Sequence, residues 1–121
     1  MRVIACAITS GAALALMTSA ASAQQQFNGF WSVEVIPQRG NCQQTYRFPV
    51  LIQNGQIRYG GAEGIAVSGG VTARGVIRGS VGTGAVQASV VGRLRGRSGS
   101  GTWATAGSLN CSGPWRAIKS A

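Results

Sequence analysis

The sequence GSGTWATAGSLNCSGPWRAI, residues 99–118, places two tryptophans and a cysteine among glycines and small polar residues. Apolar and polar side chains alternate on either side of Cys111, a period typical of β-strands and not of helices. We therefore predict that Trp103 and Trp115 lie on two neighbouring strands and share one interior.

The same alternation recurs along the rest of the chain, interrupted by turn residues about every eight to twelve positions. Asn54-Gly55 is the strongest hairpin signal. The 19 glycines disfavour long helices, because each glycine inside a helix costs about 1 kcal/mol relative to alanine. Eight candidate strands result, at residues 28–36, 45–53, 56–60, 64–72, 75–82, 85–94, 100–106 and 111–119.

These strands predict an all-β fold, a small antiparallel up-and-down β-barrel of about eight strands with one disulfide. Eight strands can close with side chains filling the middle. We expect a structural core of Trp31, Trp103 and Trp115, with nearby glycines leaving room for the indoles. The alternative is a ligand cavity with these tryptophans at its base.

Individual strands carry further expectations. In the second strand, Tyr46 and Phe48 fall on the inward row, and Pro49 on the opposite row predicts an edge or a bulge. In the sixth strand, Val86 falls on the inward row together with Leu94.

Residues 1–23 have the composition of a secretory signal peptide. Arg2 precedes an apolar run over residues 3–17, and SAASA ends the segment with the small residues that signal peptidase requires. The apolar run is shorter than the roughly 20 residues of a transmembrane helix. We therefore expect cleavage after Ala23, a single domain over residues 24–121 without a transmembrane segment, and a periplasmic or secreted location.

Removal of the signal peptide would leave two cysteines, Cys42 and Cys111, which in an exported chain predict one disulfide. Two unpaired buried thiols are the alternative. In an up-and-down barrel both cysteines fall at one end, on either side of the first strand. Strands two positions apart are separated by about 9 to 10 Å, so the loop with Cys42 must lean across the first strand.

The predicted mature chain is strongly basic, with nine arginines and Lys119 against Glu34 and Glu63, a formal charge of +8. Such a charge favours anionic partners. The topology predicts an anionic-ligand site at the end opposite the disulfide, where Arg74, Arg95 and Arg97 fall in turns. Further basic residues are expected nearby: Arg58, Arg78, Arg93 and Lys119.

Arginine suits phosphate and carboxylate groups, so the expected partner is an acidic polysaccharide or a lipid surface. Nucleic acid is not expected, because no aromatic residues are interleaved with the arginines to stack on bases. Solvated turns without a partner are the alternative for this cluster.

The inventory of reactive side chains argues against catalysis. The chain has no histidine and only two acidic residues, both glutamates, so acid–base chemistry and metal sites lack their usual groups. We expect a non-enzymatic, monomeric binding protein without metal or other cofactor. Two alternatives remain open: an inhibitor of a lysozyme or protease acting through the loop of residues 38–44, and a carrier of a small apolar ligand, which needs an open cavity.

Several segments carry a resemblance: FNGFWSVEV, QRGNC, YRFPVLIQNGQIRYGG, GSGTW and CSGPW. In these the chain resembles a group of small secreted glycine-rich proteins of α-proteobacteria, of rhizobial type. The resemblance covers nearly the whole predicted mature chain and implies no particular activity. The Gly-x-Trp motifs at Trp31 and Trp103 are also similar to those of lipocalins and avidins.

Overall fold

The computed structural model describes residues 25–42, 44–61, 64–84, 86–106 and 109–121. The predicted signal peptide, residues 1–23, and Glu63 lie outside this part of the chain. The described residues contain eight strands: β1 (Gly29–Val35), β2 (Tyr46–Gln53), β3 (Gln56–Tyr59), β4 (Ala66–Val71), β5 (Val76–Thr83), β6 (Val86–Arg95), β7 (Ser98–Thr105) and β8 (Ser112–Lys119).

The strands form one closed antiparallel barrel in sequence order. β1 closes it by pairing with β2 on one side and with β8 on the other, where Val33 is the register partner of Ala117. The one register pair described between β3 and β4 is Gln56 with Gly70, so closure leaves less exposed strand edge than an open sheet would present. The predicted eight-stranded up-and-down barrel is confirmed.

The alternating strand directions give the barrel two different ends. The disulfide end contains the connections β1–β2, β3–β4, β5–β6 and β7–β8 together with the bond between Cys42 and Cys111. The basic end contains the turns β2–β3, β4–β5 and β6–β7, the start of β1 and the end of β8.

The Cys42–Cys111 disulfide confirms the predicted pairing, with its Cα atoms 5.9 Å apart. The loop after β1 leans across to β8, as this bond requires. The Gln38 amide donates to the Ser112 carbonyl at 2.9 Å, and Arg39 forms an isolated bridge with the same residue. Gly113 is needed here, because a side chain in its place would meet the Ile36 carbonyl.

All three tryptophans lie in the core, with exposed fractions of 1% for Trp31, 7% for Trp103 and 3% for Trp115. The Trp115 indole lies against Gly92 and Gly101 on the two preceding strands. A methyl group at either glycine would come within about 2.6 Å of the indole. The narrow interior therefore accommodates this ring because two neighbouring strands lack side chains there.

Tyr46 and Val86 keep the inward rows of their strands, in step with Phe48 and Val90. They are nevertheless 59% and 36% exposed, because each begins its strand at the disulfide end, beyond the packed centre of the barrel. The edge or bulge predicted at Pro49 was wrong. The β1–β2 register runs through Pro49 without a bulge. The Pro49 carbonyl accepts a hydrogen bond from the Gly60 amide at 2.9 Å. Because the nitrogen and carbonyl of one residue point to the same side of a strand, the Pro49 nitrogen also faces the end of β3, and no hydrogen bond to β1 is lost.

Candidate functional sites at the two ends of the barrel

The basic end holds the arginines for which the sequence predicts an anionic-ligand site. Arg74 lies in the turn between β4 and β5, Arg95 is the last residue of β6, and Arg97 lies in the turn between β6 and β7. All three side chains are exposed. Gly75 and Gly96 form these turns with φ angles of 90° and 57°, values that favour glycine.

Arg78 and Arg93 extend this cluster down the outer wall. Arg93 is the register partner of Val76, two residues before Arg78 on the adjacent strand. Arg78 and Arg93 are therefore diagonal neighbours on one face, close enough for long side chains to reach a common ligand. Both are exposed. The structure thus brings five arginines to the turns and outer wall of β5 and β6: Arg74, Arg78, Arg93, Arg95 and Arg97.

Arg58 and Lys119 flank the cluster at a greater distance. Arg58 lies on β3 and donates to the Gln56 side chain at 3.2 Å. Lys119 ends β8, and its carbonyl accepts a hydrogen bond from the Arg97 guanidinium at 3.1 Å. Lys119 belongs to the basic end, but to another part of its circumference, whereas Arg58 is the third residue of β3 and lies outside the basic end.

The segment of residues 25–28 lies across the basic end and closes it. The Phe27 ring is 4% exposed, and the Phe27 carbonyl accepts from the Trp31 indole at 3.0 Å. The Gln26 side chain donates to the Ala73 carbonyl at 2.8 Å, next to Arg74. The turn that carries Arg74 is thus tied to the closing segment.

Glu34 is the only acidic side chain in the described part of the chain, and it lies away from the basic end. On the outer wall it pairs with Arg116 at 2.6 Å and with Arg47 at 2.7 Å. The hydrogen bond from Arg116, followed by that from Arg47, lowers the pKa of Glu34 from its ordinary value of 4.5. Within the described residues, no acidic side chain compensates the arginines of the basic end.

We expect Glu34→Gln to change the pH dependence of stability. Because the pKa of Glu34 is lowered by folding, its contribution is present above the ordinary value of 4.5 and is lost as the pH falls through the lowered value. The free energy of unfolding should therefore fall less on acidification in Glu34→Gln than in the unchanged protein. Urea denaturation at a series of acidic pH values measures this, and parallel curves for the two proteins would contradict it.

The disulfide end contains a different feature, an apolar cavity that continues into the barrel. Its volume is about 60 Å³. The deep lining residues Trp31, Ile52 and Leu94 are buried, whereas Val35 and Val67 are half-buried. This gradient of burial indicates that the cavity opens toward the disulfide end and not toward the basic end, across which the segment of residues 25–28 lies.

Further apolar residues lie at the disulfide end, on the inward rows of strands and in connections, and together they are called the collar. Besides the exposed Tyr46 and Val86, this collar includes half-buried residues from several connections and strands: Tyr59, Ile65, Val81, Ala88 and Leu109. The alternation pattern predicts each inward position but not its distance from the end of the barrel. Sequence reasoning therefore raised a cavity only as an alternative and missed its opening.

The loop suggested for an inhibitor is bound to the barrel wall where it is described. Gln38 and Arg39 are hydrogen-bonded to β8, and Cys42 is held by the disulfide. Gln43 lies outside the described residues. The described part of this loop runs along the wall and does not project from it.

The residues that the structure describes contain no helix long and apolar enough to cross a membrane. They also contain no group of three His, Cys, Asp or Glu side chains placed to hold a metal ion.

Comparison of the chain with protein-family models, with curated proteins and with solved structures gave no match. The resemblance to rhizobial secreted proteins therefore stays a prediction.

Proposed function

We propose that this protein is a non-enzymatic, exported binding protein that holds an anionic component of the cell envelope or its surroundings at its basic end. The observation that supports this most directly is the cluster of five exposed arginines on β5, β6 and their turns, without a described acidic side chain beside them. The groups recognised are phosphate, sulfate or carboxylate, which arginine contacts through two parallel hydrogen bonds.

The distribution of charge on the barrel supports one preferred end over a uniformly basic surface. Arg47 and Arg116 share Glu34 on the outer wall, so their charges are partly neutralised. Arg74, Arg78 and Arg95 have no such carboxylate among the described residues. An anion near the barrel is therefore attracted most strongly to the basic end.

Acidic polysaccharides and anionic lipid headgroups both present the required groups. Single-stranded nucleic acid presents phosphates too, but binds best where aromatic side chains stack on its bases. At the basic end Phe27 and Trp31 are buried, and Phe30, which is 43% exposed, lies on β1, on the side of the barrel opposite β5. We therefore favour the glycan and lipid sources over nucleic acid.

The test compares two triple variants with the same loss of charge. Changing Arg74, Arg95 and Arg97 to glutamine should weaken binding to heparin or to phosphatidylglycerol vesicles at least about tenfold, which is about 1.4 kcal/mol. The matched control changes Arg39, Arg47 and Arg116 to glutamine and should have a much smaller effect. Affinity is measured at several salt concentrations, since these contacts are screened over about 8 to 10 Å at ordinary ionic strength.

The arms of this experiment separate the possible outcomes. Equal losses in both triple variants would mean that net charge alone causes binding, and the basic end would then not be a site. Binding to heparin but not vesicles would identify glycans, and the reverse would identify lipids. Tighter binding to a single-stranded oligonucleotide than to either would overturn the glycan and lipid assignment.

A further inference from the structure

The apolar cavity at the disulfide end is separate from the basic end and has its own chemistry. We propose that it is a binding site for one linear alkyl chain, which enters through the collar at the disulfide end and reaches between Trp31 and Trp115. This inference does not depend on the proposed function, because the two sites lie at opposite ends of the barrel.

The polar groups near the cavity are already satisfied by the protein. The indole N–H groups of Trp31 and Trp115 donate to the carbonyls of Phe27 and Val91 at 3.0 and 2.9 Å. Ser68 and Ser80, beside the cavity, are hydrogen-bonded to each other at 3.0 Å. No buried side-chain donor or acceptor among the described residues lacks a partner. A polar ligand would therefore lose hydrogen bonds to water without replacement, whereas a hydrocarbon would lose none.

The size of the cavity favours a chain over a ring. Its volume of about 60 Å³ is less than half of the roughly 150 Å³ of a cavity known to hold benzene. A linear chain needs only a narrow path, and the collar extends that path to the surface. Each methylene group removed from water should tighten binding about fourfold, so a longer chain should bind more tightly until it fills the path.

The direction of insertion follows from the closure of the other end. The segment of residues 25–28 lies across the basic end, and its Phe27 is buried there beside Trp31, so a chain cannot pass through the barrel. Its polar head has to remain outside, near the collar residues Tyr46 and Val86. The ligand class is therefore an amphiphile with a single unbranched tail.

Tryptophan fluorescence provides a direct measurement on the unmodified protein. Alkanols that carry bromine at the far end of the chain are neutral probes, and bromine quenches indole emission on contact. We expect saturable quenching, relative to the unbrominated alkanol, that strengthens with chain length. It should be insensitive to salt and unchanged when Arg74, Arg95 and Arg97 are replaced by glutamine, so that this test and the test of the basic end fail independently.

Neighbouring valines on β6 provide a matched pair of variants. Val90 lines the cavity, and Val91 faces outward and is 49% exposed. Val90→Phe should weaken alkanol binding at least about tenfold by filling the cavity, while Val91→Phe should leave it unchanged within about twofold. If Val90→Phe does not fold, Val67→Phe at the half-exposed opening replaces it.

Three results would overturn the proposal: absence of saturable quenching in the unmodified protein, equal effects of the inner and outer variants, or binding of bromobenzene as tight as that of the linear probes. The first would mean that the cavity is only a packing defect. The last would mean that the walls move and that the shape of the ligand is not selected.

Discussion

Replacing Trp115 with alanine should lower the free energy of unfolding by about 3 to 5 kcal/mol. The indole is 3% exposed, lies against Gly92 and Gly101, and donates to the Val91 carbonyl at 2.9 Å. Neither glycine has a side chain that can move into the vacated space. The loss should therefore include both the transfer of the ring to water and a persistent cavity. Urea denaturation monitored by circular dichroism measures the change.

Chemical rescue provides a check on this interpretation. Removal of the ring would enlarge the existing cavity of about 60 Å³, so benzene or indole should bind the variant and raise its stability in proportion to the logarithm of ligand concentration. The unmodified protein should not be stabilised by benzene. A denaturation midpoint for Trp115→Ala close to that of the unmodified protein would contradict a structural role for this tryptophan.

The fold could be predicted from the sequence because strand alternation and turn chemistry are local. Asn54 and Gly55 adopt positive φ angles of 51° and 82°, the conformation that the two-residue hairpin turn requires. Because the turns are short, consecutive strands must be antiparallel. The barrel end at which each turn lies then follows from the number of strands that precede it. The grouping of Arg74, Arg95 and Arg97 at one end needed only this count.

Features that depend on register between distant strands could not be predicted. Glu34 is the register partner of Arg47 on β2 and of Arg116 on β8, which are 13 and 82 residues away in sequence. A shift of one residue in either pairing would move the arginine to the opposite face. The fit of Trp115 against Gly92 and Gly101 also depends on the register between strands. Glycines were expected beside the tryptophans, but not at particular positions.

The placement of the two candidate sites has a consequence for how they would work together. A barrel held to an anionic surface through Arg74, Arg95 and Arg97 would direct its disulfide end away from that surface. The collar around Tyr46 and Val86 would then face the solvent, where a single-tailed amphiphile can reach it. The two proposals are thus compatible in one molecule, although each is tested without the other.

The Cys42–Cys111 bond should be the largest single covalent contribution to stability in this small barrel. It joins residues 69 positions apart, and in the chain-entropy model closing a loop of this length stabilises the folded state by about 4 kcal/mol. We expect the double variant Cys42→Ala/Cys111→Ala to lose about this amount in urea denaturation. The unmodified protein treated with a reductant should show the same loss. This serves as the control for packing changes at Cys111, which is 1% exposed.

The presence of the bond itself is tested by intact mass after alkylation without reductant, and two alkylated thiols would contradict it. A stable double variant with an unchanged midpoint would show instead that the β1–β8 pairing and the hydrogen bonds from Gln38 and Arg39 to Ser112 hold the closure without the disulfide.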